Sequence, residues 1–180
     1  MLLRLSKPDF DILSKVRKDV ASKLIAGARL IDGGIDVVVV HRDADGAGRS
    51  ARENEIIEAI ASSGINCSAI PVIPVRMTEA WLLLDEKEIR RVAGNPNGTG
   101  RIPLPKMHEV ERIADPKELL KECLTQAASE RGRRRQRATN RFSQHRRQLL
   151  ERLDINGPVA QLESWKFLIK NVEAVISASF

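Results

Sequence analysis

Val37-Val38-Val39-Val40 is the run that most limits what this chain can fold into. Four consecutive β-branched residues, bounded by Gly33-Gly34 before and Asp45-Gly46 after, read as a strand buried on both faces of a parallel sheet. Ligands of such sheets gather at the carboxyl ends of the strands. Asp43 and Asp45 stand there, two residues apart. In an extended chain they point to the same side, and their like charges disfavour joint ionisation without a cation. A hard divalent ion, Mg²⁺ or Mn²⁺, would resolve the conflict with carboxylate and water oxygens. The competing reading is a plain Asp45-Gly46 turn, with Asp43 as a helix cap.

The segments around this strand alternate. Ile12, Val16, Val20 and Leu24 recur every four residues and predict an amphipathic first helix ending near Gly27. Ser50 to Ser62 reads as a second helix, with Gly64 at the position of a C′ glycine. Cys67 to Val75 reads as a second strand, which Pro71 and Pro74 push towards a sheet edge because neither has an N–H for the ladder. Thr78 can cap a helical segment through Leu84, and Asp85 with Glu88 forms a capping box for a further turn or two ending at Gly94. Asp115-Pro116-Lys117-Glu118 is a clearer helix start, and a last helix is expected from Pro158 to Val175, with Trp165 and Phe167 as core anchors.

These patterns give an α/β fold class, a small mostly parallel sheet flanked by helices with a helical C-terminal extension. The 180 residues fit one domain, with an α/β core over about 1–94 and a helical part over about 115–180. Cys67 and Cys123 have no pair-like spacing, as expected of a reduced cytoplasmic protein. The opening Met1-Leu2-Leu3-Arg4-Leu5 is too short for a signal core and no apolar run reaches the length of a membrane span, so no membrane partner is expected. A homo-oligomer remains open.

The formal charge of +6 is concentrated. Arginines at 131, 133, 134, 135, 137, 141, 146 and 147 share a stretch with no acid. Self-repulsion weakens any helix in such a block unless phosphate or facing carboxylates compensate, and the planar guanidinium suits phosphate. With six phosphate contacts, binding to duplex DNA would fall with salt at a log-log slope of about −5. Phe142 is the one aromatic residue in the block, which favours backbone contact over base stacking. A solvated charged face is the alternative. Arg76 and Glu79 follow the second strand and are expected on the same sheet edge as the aspartates, where Glu79 would complete a carboxylate set. Arg42, Arg49 and Arg52 flank the acids, either to neutralise Asp43 and Asp45 or to hold a phosphate beside a metal, while Arg49 and Arg52 have the alternative of pairing with Glu53 or Glu55 along the helix. His41, at the strand end, reads as a partly buried structural histidine, with a proton shuttle as the other reading.

Apolar strand, Asp-x-Asp, helix and strand in that order resemble the Toprim domain of topoisomerases, primases and overcoming-lysogenisation-defect nucleases. From about Val37 to Asp154 the chain resembles small stand-alone Toprim-like bacterial proteins of unknown function. The resemblance rests on Val39-Val40-His41-Arg42-Asp43-Ala44-Asp45, Pro74-Val75-Arg76-Met77-Thr78-Glu79-Ala80-Trp81-Leu82-Leu83, Ala93-Gly94-Asn95-Pro96 and Asp115-Pro116-Lys117. It implies an Mg²⁺- or Mn²⁺-dependent nuclease acting on DNA or RNA phosphodiesters, in the setting of bacterial phage defence and beside an ATPase partner. Asp43, Asp45 and Glu79 would be catalytic and metal-binding. Arg42, Arg49, Arg76, Lys117, Arg133, Arg134, Arg135 and Arg137 would contact phosphate or nucleic acid. The resemblance breaks at one point: Toprim catalysis uses a glutamate on a strand upstream of Asp-x-Asp, and this chain has none before Glu53. A reading frame that starts late is the preferred explanation, and loss of catalysis the other. The alternative function is a non-catalytic nucleic-acid-binding or ATPase-partner subunit using the arginine block. A haloacid-dehalogenase-type phosphatase fits less well, because His41-Arg42 separates strand from acid and no later paired aspartates follow a strand.

Overall fold

A computed structural model describes residues 4–13, 15–31, 33–128 and 141–179. The chain divides into two compact units, residues 1–73 with 168–180, and residues 74–167.

The first unit is α/β. Its strands β1 (Val37–His41) and β2 (Ser68–Val72) form a two-stranded parallel sheet, in register from Val37 opposite Ser68 to His41 opposite Val72. Helices α1 (Val20–Ala28) and α2 (Arg49–Ser63) belong to it, with α2 packed on β2 and α1 on α2, and so does the greater part of the last helix, from residue 168 on. Val40, Ala44, Ile56, Ala59 and Ile73 are among its buried apolar positions, with Val20 from α1. Parallel strands need a crossover, and α2 supplies it between β1 and β2. Gly48 opens α2 at φ +81° and Gly64 ends it at φ +70°, so each terminus depends on backbone that a side chain disfavours. Pro71 is accommodated as an edge residue. Ser68 N donates to Asp36 O and Arg42 N to Val72 O, so 68, 70 and 72 face β1 and Pro71 turns its missing N–H outward.

The second unit is helical. It holds α3 (Glu79–Leu82), α4 (Glu86–Val92), α5 (Pro116–Ala127) and α6 (Phe142–Glu151), and α7 (Glu163–Ser179) begins in it. Leu82, Leu83, Ile89, Val110, Leu120 and Val159 are almost completely excluded from solvent. Trp81 meets Trp165 edge to face at 5.1 Å and donates its Nε1–H to Ser164 Oγ at 2.9 Å. Capping follows the sequence closely, since Asp85 Oδ1 accepts from Glu88 N at 3.0 Å and Asp115 Oδ1 from Glu118 N at 2.9 Å. Among the described residues no helix is long and apolar enough to cross a membrane.

Several local expectations are corrected. The first helix starts at Val20 and not near Ile12, because Asp19 Oδ1 caps Ser22 N at 2.8 Å and Lys15 at φ +58° breaks any helical path from residues 10–12. Those three form only a 3₁₀ turn, capped by Asp9. Thr78 makes no side-chain cap; its hydroxyl is engaged elsewhere. Pro158–Gln161 is a separate 3₁₀ turn before α7, and Phe167 is only half-buried while Trp165 is buried.

Candidate functional site

β1 delivers the chain to the candidate acids, but not as an extended strand. After His41 the backbone turns through Ala44 (φ −66°, ψ −41°) into the 3₁₀ turn Asp45–Ala47, and Asp45 itself lies at φ +44°. The premise that Asp43 and Asp45 share a side by strand alternation therefore fails. The apolar Ala44 side chain is buried and plugs the turn into the unit. A non-glycine residue in the left-handed region carries about 1 kcal/mol of strain, and aspartate is among the few that tolerate it.

Asp43 has a half-buried side chain, its Oδ1 shielded from solvent and 3.4 Å from His41 Nε2. Asp45 is exposed. His41 is exposed too, where a partly buried histidine was expected. Behind the turn lies a three-residue clamp. Glu55 accepts from Arg52 Nη1 at 2.8 Å and lies 2.9 Å from Arg42 Nη2, while Arg52 Nε donates to the Asp43 carbonyl at 3.1 Å. Burial raises the Glu55 carboxyl, but the hydrogen bonds from Arg52 and Arg42 outweigh it and leave it below its ordinary value. Arg42 is thus committed to Glu55. The Arg52 and Glu55 spacing announces one arm of the clamp in the sequence. The Arg42 arm, thirteen residues from Glu55, has no local signal. Arg49 is exposed in the first turn of α2, which carries no acid.

Glu79 belongs to the second unit, so neither unit by itself assembles Asp43, Asp45 and Glu79. It is buried at the start of α3, where its Oε1 accepts from Arg146 Nε at 2.7 Å; Arg146 Nη2 donates to Thr78 Oγ1 at 2.9 Å. One arginine of the basic block is therefore a structural partner. A second, Arg147, pairs with Glu151 at 2.8 Å along α6. Beside Arg146, His145 is buried, and burial together with the Arg141 charge holds its imidazole below the ordinary value. Arg76 and Lys117 are exposed. Arg133, Arg134, Arg135 and Arg137 lie outside the described residues. Cys123 is buried, which pushes its thiol up to about 12, and Cys67 is half-buried; both are free thiols.

The donor set at Asp43 and Asp45 is all oxygen. Among the described residues no three His, Cys, Asp or Glu side chains gather as a metal cage. Mg²⁺ commonly binds through one or two carboxylates with waters and substrate phosphate, so oxygen donors of this kind are chemically suited to that ion without forming an all-protein cage. Compared with protein-family models, curated proteins and solved structures, the chain matches none.

Proposed function

We propose that this chain is a Toprim-like protein that binds Mg²⁺ or Mn²⁺ through Asp43 and Asp45 and acts on nucleic-acid phosphodiesters. The observation that carries the reading is two carboxylates at the carboxyl end of β1, in the turn that leads into the crossover helix of a parallel pair. The Glu55 clamp supports it, because Arg52 holds the Asp43 carbonyl and so limits how the turn can move. The acid-free first turn of α2 offers N–H donors to a phosphate beside the acids. A divalent ion bound there supplies polarisation of the phosphoryl oxygen and a more acidic water. The defence setting and the ATPase partner implied by the Toprim resemblance belong to the same proposal.

A second reading has its own support: a non-catalytic nucleic-acid-binding subunit. Glu79 is tied to Arg146, which takes the expected third carboxylate out of the set. Mn²⁺ titration by calorimetry, run with plasmid and single-strand cleavage, separates the two. Wild type should bind Mn²⁺ and cleave, and the Asp43→Asn, Asp45→Asn double variant should do neither. Nucleic-acid binding that survives EDTA and the double substitution, without cleavage by wild type, would establish the second reading. Absence of Mn²⁺ binding by wild type rejects the first.

A further inference from the structure

The two edges of the β1–β2 sheet differ. Residues 36, 38, 40 and 42 of β1 face β2, so Val37, Val39 and His41 turn their N–H and C=O groups to the other side. Among the described residues nothing hydrogen-bonds to those groups. On β2 the corresponding edge is interrupted by Pro71, which has no N–H to offer. β1 has no such guard. Its central residue, Val39, is 58% exposed, although a valine run of this kind is expected inside a sheet. Two strands are also fewer than a sheet normally needs for independent stability.

We propose that β1 pairs with β1 of a second copy of this chain, antiparallel and centred on Val39, to make a continuous four-stranded sheet. The strand is complementary to itself in this register. A two-fold axis through Val39 sets Val37 opposite His41 of the other copy, and Val39 opposite Val39. Each outward-facing residue then exchanges N–H and C=O with its partner, because all three have the parity of hydrogen-bonded pairs. The same register sets Asp36 opposite Arg42 of the other copy, once on each side of the axis, so no like charges face one another beside the apolar centre, although the Arg42 head group stays with Glu55. A one-residue slip destroys both the charge match and the hydrogen-bonding parity. An axis perpendicular to the sheet keeps both α2 helices on one face. On the other face it joins Val37, Val39 and Ile70 of the two copies into one apolar strip. This inference does not depend on the metal reading.

Sedimentation velocity over a range of concentrations tests it. Wild type should form a species of twice the 20.1 kDa chain mass. Val39→Lys places like charges opposite one another on an already exposed position, and should raise the dimer dissociation constant by at least about tenfold with an unchanged far-UV circular dichroism spectrum. Val39→Cys gives an independent readout of register. Hydrogen-bonded partners lie about 5.5 Å apart at Cα, within the span of a disulfide, so diamide should oxidise the two introduced thiols, one from each copy, to a covalent dimer. Wild type, which carries Cys67 and Cys123, and the exposed α2 variant Ile57→Cys should stay uncrosslinked. A monomer at every concentration overturns the proposal. So does a dimer that Val39→Lys leaves intact, or crosslinking of Ile57→Cys as efficient as that of Val39→Cys.

Discussion

Glu79 and the Asp43–Asp45 pair are acids that follow the two strands, yet their surroundings differ. Glu79 is buried with only 8% of its side chain exposed and meets a guanidinium at 2.7 Å. Asp43 keeps a third of its side chain accessible and Asp45 is exposed in a strained turn. A buried acid with a dedicated cation is held for the fold, whereas acids more accessible at a strand end can exchange their partners at lower cost. The contrast is sharpest in what each substitution should do to stability.

Arg146→Ala should have the largest effect. It leaves Glu79 buried without its cation, and breaking a buried pair in this way costs about 3 kcal/mol. Glu79→Gln should cost less, since Arg146 is 37% exposed and its head group can reach water. Urea unfolding of both variants checks the order. Were Arg146→Ala to lie within about 0.5 kcal/mol of wild type, the structural role given to Glu79 would fail.

Next is the clamp. Glu55→Gln replaces the carboxylate shared by Arg42 and Arg52 with a neutral amide, turns one acceptor oxygen into an NH2 donor, and should destabilise the first unit by about 1–2 kcal/mol at neutral pH. The carboxyl is held below its ordinary value in the folded chain, so its contribution is present above the unfolded value and lost as pH falls through the folded one. The variant should therefore differ from wild type at pH 7 and converge with it in acid. Mn²⁺ affinity measured on Glu55→Gln shows whether the clamp orients the Asp43 turn, because a purely structural role leaves it unchanged.

His145 acts in the same direction but in the histidine range, and here the neutral form is the one the fold favours. Its folded value is lowered by burial and by Arg141, so the unfolded chain binds the proton more readily. Its neutral form supports the fold fully above the ordinary histidine range, and stability declines as pH falls from there towards the folded value. His145→Gln should flatten that part of the pH profile of urea midpoints. A profile equally steep in the variant assigns the slope to other groups.

The parts of this fold that the sequence announces are those fixed by local chemistry. Asp85, Asp115 and Gly64 cap or end helices where their types say they should, and Pro71 sits at an edge because its ring leaves no alternative. The parts that stay hidden are long-range or depend on competition between local signals. Ile12 and Val16 keep helical spacing with Val20, but the Asp19 cap and the left-handed Lys15 decide where α1 begins. Arg146, read as part of a phosphate-binding block, is claimed by Glu79 sixty-seven residues away, which no spacing rule reveals. At the candidate site the strand, the two acids and, as the competing reading, a turn at Asp45-Gly46 were legible; the left-handed Asp45 that re-aims the acid was not, because Asp-Ala-Asp-Gly suits several turn geometries.

The smallest effect should come from Asp45→Gly, and it bears most directly on the contrast between the acids. Glycine accepts φ +44° without the Cβ penalty, so the substitution should stabilise the chain by about 0.5–1 kcal/mol, reduced by the extra entropy of the unfolded glycine. A residue kept in strained backbone against stability is expected where a side chain serves a ligand. Asp45→Gly should then gain stability and lose Mn²⁺ binding together, while Asp45→Asn loses binding with stability unchanged. If both variants bind Mn²⁺ as wild type does, the strain at Asp45 belongs to the turn alone, and the accessible acids differ from Glu79 only in burial.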